Sequence, residues 1–194
     1  MSNEWDEYAE GWDIDPSVEV YANKAFAELV KKVNLDALTV LDFGCGTGAL
    51  TQLISPEVKN IVAIDPSSEM IKCLDKKSLK NVATISDYLS EGIIKKHSRF
   101  HDKFDLVVAS SVCGFLPSYE ETLTLLKSVL KVGGTFIQWD WLAEDDSSSM
   151  GLSEARVRQA FESNQFIDIQ VTSPFIMESS KGKMSVLMAC GKNA

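Results

Sequence analysis

Val40-Leu41-Asp42-Phe43-Gly44-Cys45-Gly46-Thr47-Gly48 is a short β-rich run that carries one carboxylate into three alternating glycines. Such a run predicts a buried strand, here Thr39 to Phe43, ending in a tight turn that opens a helix over Ala49 to Ile54. Glycine lets the backbone approach a ligand closely and take left-handed dihedrals. A plain strand-to-helix turn also uses glycine, but not three in alternation with an acid two positions ahead. In open α/β sheets this is the place where ligands bind, beyond the carboxyl ends of the strands.

Working outward, the same alternation repeats. Asn60 to Ile64 reads as a second strand, Ser67 to Lys77 as a helix and Val82 to Ile85 as a third strand. Phe104 to Ala109 is an unbroken apolar run of the kind buried on both faces. A helix is predicted from Tyr119 to Lys131, stopped by Gly133-Gly134, and a strand from Thr135 to Trp139. Upstream, Asp15-Pro16 is a cap with proline in the first turn, followed by apolar residues from Val18 to Val33 on one helical face. Downstream, a helix near Ser153 to Ser163 precedes two strands, Ile167 to Thr172 and Lys183 to Ala189, joined by a loop holding Pro174 and Gly182. That connection is too short for a helical crossover, so an antiparallel hairpin is expected. The fold class that follows is α/β: a doubly wound, mostly parallel, Rossmann-like sheet with an antiparallel C-terminal hairpin. Residues 1–194 are read as a single domain, with a helical cap or lid over 1–36, a core over 38–140 and a terminal helix and hairpin over 150–194.

Two nucleotide chemistries compete for the glycine turn. Gly44, Gly46 and Ala49 also satisfy the permissive dinucleotide fingerprint, with Asp65 at the ribose-acid distance. Asp42 tilts the balance, because a carboxylate beside the turn is poorly placed for pyrophosphate and well placed for an ammonium group. No GxxxxGK[ST] loop exists for phosphoryl transfer.

The ordered set of motifs resembles the class I S-adenosylmethionine (SAM)-dependent methyltransferases, over roughly residues 38 to 140. Besides the glycine turn, Ile61-Val62-Ala63-Ile64-Asp65-Pro66-Ser67 is similar to that family's second strand, Ile85-Ser86-Asp87-Tyr88 to the acid after the third, and Phe104 to Ser110 to the fourth. Leu130 to Phe136 is similar to the glycine turn before the fifth. The resemblance implies SAM as donor and S-adenosylhomocysteine (SAH) as product. It places Asp42, Gly44, Cys45, Gly46 and Gly48 along the methionine and ribose, and Asp65-Pro66 at the ribose hydroxyls. Asp87 and Tyr88 are placed at the adenine with Met70 as an apolar wall, and the Ala109 and Ser110 backbone near the methionine amino group.

An activated methyl needs chiefly alignment with its acceptor, so no Ser/His/Asp or Cys/His constellation is required. Acceptor-side candidates are Tyr8 and Trp12 with Trp5 at the amino terminus, Phe115 after the fourth strand, and Trp139 and Trp141 at the end of the fifth. Asp140 is the first choice for an orienting acid or base, and the catalytic residue is otherwise unassigned. The amino-terminal aromatics suit either a lid or an anchoring segment. Ala109-Ser110-Ser111-Val112 stands where nucleobase amino-methylating relatives carry an NPPY-like sequence, which weighs against that chemistry. A small-molecule acceptor is preferred to a protein side chain. The rival activities are a nicotinamide-dependent oxidoreductase and a cofactor-binding scaffold without turnover.

Composition bounds the rest. The 194 residues are 45% hydrophobic and 24% charged, a globular balance. A net charge of −9 argues against a nucleic-acid partner, which needs a basic footprint. No apolar run reaches the roughly 18 residues of a membrane span. Met1 to Asp6 lacks the basic start and apolar stretch of a signal peptide, so a cytoplasmic location is expected. Cys45, Cys73, Cys113 and Cys190 are dispersed and read as free thiols, with no metal site.

Overall fold

The computed structural model describes residues 4–145, 151–179 and 182–194. The chain forms two compact units, residues 1–102 and 103–194.

The first unit opens with a 3-10 turn, Glu4–Tyr8, and a short helix α1, Ala9–Trp12. Helix α2, Pro16–Lys32, starts where the sequence demands: Asp15 accepts the Ser17 N–H at 2.8 Å, Pro16 sits in the first turn, and Lys31 and Lys32 face the negative end of the dipole. Then come β1 (Thr39–Phe43), α3 (Ala49–Ile54), β2 (Asn60–Asp65), α4 (Ser68–Lys76), β3 (Val82–Ser86) and α5 (Glu91–Lys96). The three strands are parallel and in step, Phe43 beside Ile64 and Asp65 beside Ser86. Their carboxyl ends therefore share one edge, and the glycine turn, Asp65 and Asp87 all follow from it. Val40, Leu41, Ile61 and Ile64 are almost wholly buried, and burial of each such branched aliphatic side chain stabilises by about 1.5–3 kcal/mol. Helix α5 was not foreseen, although the Ser90 cap and the Glu91–Lys95 pair at i,i+4 are its local signals.

The second unit holds β4 (Phe104–Ser110), α6 (Tyr119–Ser128), β5 (Leu130–Trp141), α7 (Glu154–Ser163), β6 (Phe166–Ser179) and β7 (Gly182–Asn193). Strand β5 is parallel to β4 and antiparallel to β7, which pairs with β6 as the expected hairpin. Phe136, Phe161 and Phe166 stack with centroids 5.0–6.1 Å apart and tie α7 to the sheet. Two boundaries depart from expectation. The helix stops at Ser128, and Gly133-Gly134 lies inside β5: Phe104 pairs with Leu130 but Leu106 with Thr135, so Lys131 to Gly134 bulge out. Pro174 lies within β6 rather than in a loop, at the register shift between Thr172 and Phe175 where no ladder donor is required.

Together the described residues give a mixed α/β fold of seven strands, mostly parallel with an antiparallel C-terminal pair. No helix among them is long and apolar enough to cross a membrane.

Candidate functional site

In the first unit, the turn after β1 is left-handed at all three glycines, with φ of 68° at Gly44, 53° at Gly46 and 84° at Gly48. The three are not equivalent. A Cβ on Gly48 would lie 2.3 Å from Leu74 Cδ1, so this glycine is required by the packing of α4. A Cβ on Gly46 would meet nothing within 4 Å. Open space for a ligand is therefore at Gly46.

The carboxylate of Asp65, at the end of β2, shapes this turn. Its Oδ2 accepts the Gly46 N–H at 2.9 Å and its Oδ1 the Ser67 N–H at 2.8 Å. Each oxygen keeps a lone pair for a further donor, and the residue is 8% exposed. Burial, and next the nearby Asp6 among the charges, hold its carboxyl above the ordinary range, against the two N–H bonds. Asp42 is more enclosed, at 1% exposure, and accepts the Thr51 hydroxyl at 2.5 Å. Burial pushes it up to about 7, with Asp65 adding to the effect. Its side chain ties the end of β1 to helix α3. Neither carboxylate forms an ion pair with a lysine or arginine among the described residues, an arrangement that favours a cation over a pyrophosphate.

The other residues expected on the donor side separate by burial. Met70 is 3% exposed, a core residue of α4 whose N–H is capped by Ser67. Cys45 is buried, and burial first, then Asp42 and Asp65, raise its thiol well above the usual range. Asp87 is exposed and its carboxylate turns back to the Tyr88 N–H at 2.8 Å, while Tyr88 is 66% exposed. Pro66 lies between Asp65 and the Ser67 cap of α4.

The amino-terminal segment is docked onto the same unit by contacts that the sequence did not mark. Asp6 Oδ1 accepts the Ser67 hydroxyl at 2.6 Å. Asp13 accepts the Thr47 hydroxyl at 2.5 Å and pairs with Lys77 at 3.0 Å. Trp5 meets Tyr8 and Trp12 with centroids 5.9 and 6.1 Å apart. The segment thus spans from the glycine turn to the start of α4, with Tyr8 largely exposed.

In the second unit, Ala109 is buried and its backbone is paired in register with Gln138, and Ser110 with Trp139. Phe115 is 41% exposed and Trp141 partly so. Trp139 corrects an expectation: it is fully buried and belongs to the core, not to an acceptor surface. Its indole N–H has no hydrogen-bond partner among the described residues. Asp140 is likewise buried, at 1% exposure, so its carboxylate is not presented to solvent as an acid or base. Past the end of β5, an open groove of about 790 Å³ is lined by Leu142, Ala143, Glu144, Ser153, Glu154 and Lys183, among others.

Comparison with known proteins follows the same lines. A family model described as a methyltransferase domain matches residues 17–178 and so runs through both units. Among curated proteins, the chain is 32% identical over 111 residues to a mitochondrial ubiquinone biosynthesis O-methyltransferase of Rattus norvegicus, covering 52% of this chain and 30% of that one. It is 35% identical over 105 residues to a cypemycin N-terminal methyltransferase of Streptomyces sp., covering 52% and 40%. The chain thus spans well under half the length of these relatives. Among solved structures, a DhpI–SAH complex superposes with a TM-score of 0.74 at 17% identity, covering 98% of this chain and 93% of that one. Magnesium protoporphyrin IX methyltransferase from Synechocystis PCC 6803 with bound SAM gives 0.68 at 18% identity, covering 98% and 85%. At such identities the likeness is one of fold.

Proposed function

Because this chain belongs to the methyltransferase-domain family, we propose that it transfers a methyl group from SAM to a small-molecule acceptor, with residues 1–194 acting as one domain. The observation that carries this reading is the pair of buried carboxylates, Asp42 and Asp65, which form no ion pair among the described residues, around a glycine turn that is open at Gly46. A nicotinamide dinucleotide would bring a pyrophosphate to that negative edge; SAM brings a cation.

When bound, SAM supplies a methyl group already activated on a positively charged sulfur. The protein's part is to hold and align. Asp65 uses its free lone pairs for the ribose hydroxyls while its other bonds fix Gly46 and Ser67. The left-handed turn lets the backbone come within contact of the methionine portion, and Asp42, in its ionised form, lends negative charge nearby. Asp87 and Tyr88 serve the adenine from the end of β3. On the acceptor side, Phe115 and Trp141, with the groove beyond β5, receive a compact substrate. The ubiquinone biosynthesis relatives support a small organic acceptor. The Glu4–Asp13 segment, latched by Asp6 and Asp13, is a strap that excludes water from the donor.

Calorimetric titration with SAH and with NADH tests the donor, and Trp5 and Trp12 report on the strap by fluorescence. SAH binding accompanied by a change in tryptophan emission is expected. Binding of NADH alone would replace this reading with an oxidoreductase, and SAH binding with unchanged emission would leave the strap as a fixed anchor.

A further inference from the structure

The loop that follows β4 is held by a network far more elaborate than a connection needs. Asp140 Oδ1 accepts the Gly114 N–H at 2.9 Å, and its Oδ2 accepts the Gln138 side-chain amide at 3.0 Å. The Val112 and Cys113 N–H groups also favour its charged form, against the burial that raises its carboxyl to about 7. Gln138 in turn accepts the Tyr119 hydroxyl at 2.8 Å, which anchors the chain of bonds to α6. All three side chains are essentially sealed from solvent.

Two further constraints act on the loop. Ser111 takes φ of 58°, unusual for a residue with a Cβ, while its N–H bonds to the Trp139 carbonyl at 2.7 Å. Gly114 rests against Gly151, where a Cβ would lie 3.0 Å from the Gly151 Cα. Gly151 itself has no room for a side chain, since a Cβ there would fall 2.2 Å from the Trp141 carbonyl oxygen. The loop after β4 and the segment leading to α7 are therefore wedged together at two glycines.

A buried carboxylate without a cation is a poor device for stability alone, because its desolvation offsets what its hydrogen bonds contribute. What it supplies is geometry: one anion collecting several N–H groups defines where each of them lies. The geometry points to Asp140 as a positioning residue, one that never touches the acceptor and instead fixes Val112 to Gly114 so that Phe115 is held outward in a single place. This rests on the methyl-transfer reading, in which that loop faces the acceptor. It also gives the carboxylate a different part from the solvent-facing acid or base expected from sequence.

The test uses Asp140→Asn, which keeps the volume but turns an amide donor toward N–H groups, and Gly114→Ala, which pushes the same loop from the Gly151 side with Asp140 intact. Transfer of label from methyl-tritiated SAM into a small-metabolite extract is measured per SAH-binding site, so that unfolded protein does not count. Mass spectrometry follows labelling of Cys113, a fully buried thiol within the loop. Both variants are expected to bind SAH within about twofold of wild type, to expose Cys113 faster, and to lose about a hundredfold in transfer, the scale of a 1 Å misplacement. Wild-type transfer per site in either variant would overturn the positioning role, leaving Asp140 structural. Loss of SAH binding in step with transfer would overturn it as well, by showing a general collapse. A wild type that binds no SAH, or labels nothing, would instead bring down the methyl-transfer reading and this inference with it.

Discussion

The turns after β1 and after β4 are built on one plan. In each, a carboxylate from the adjacent parallel strand accepts the N–H of a glycine in the turn at 2.9 Å: Asp65 of β2 takes Gly46, and Asp140 of β5 takes Gly114. They differ in what remains open. Asp65 is largely buried but keeps lone pairs to spare, and a Cβ on Gly46 would meet nothing; Asp140 is sealed, and Gly114 is pressed against Gly151. One carboxylate organises its turn and still has capacity for a ligand, whereas the other spends its capacity on the turn and on Gln138. A strand-end acid in an α/β sheet is thus not a binding residue by position alone. Its accessible lone pairs decide.

The largest effect that would break this contrast is at Asp65. Asp65→Ala should weaken SAH binding by about 2–4 kcal/mol, the loss of two charge-assisted hydrogen bonds, as read by calorimetry. Affinity equal to wild type would put the ribose elsewhere. Next come the glycines of the same turn, which should fail in different ways. Gly48→Ala should lower stability by about 2 kcal/mol or more, since left-handed strain adds to an overlap with the packed Leu74. Gly46→Ala should lose only about 1–2 kcal/mol of stability from strain, yet lose SAH binding. Denaturant melts and calorimetry on the two variants would sharpen the contrast, and identical profiles would remove the distinction between a packing glycine and a ligand glycine.

A pH-dependent effect is expected at Asp42. Its folded-state carboxyl, near 7, lies above the ordinary 3.8, so between those values the native protein retains a proton that the unfolded chain has released. Stability is then lost as pH rises from about 4 to 7, and levels off above. Asp42→Asn keeps an acceptor for Thr51 while removing this titration. Thermal melts should show a flatter dependence across that window, and a slope identical to wild type would mean that Asp42 stays ionised in the fold.

Particular residues show how far the sequence carried. The strands around Asp42 and Asp65 were legible because apolar runs closed by glycine, or by an acid and proline, leave few alternatives. Gly133-Gly134 misled, since glycines that end a helix locally are the same glycines that let β5 bulge against β4. Pro174 misled in the same way. Asp6 and Asp13 carried no signal at all, because an acid in an acidic segment gives no hint that its partner is Ser67 or Thr47, dozens of residues away.

By itself the sequence determined the order of the strands and of the longer helices, the glycine turn, and the acids that end the strands, since these follow from local periodicity and backbone freedom. Only the tertiary structure decided which of those acids faces solvent, which glycine leaves room for a ligand, and that Trp139 and Asp140 lie inside. Exposure depends on what other segments of the chain are folded against a residue, and no local pattern contains that.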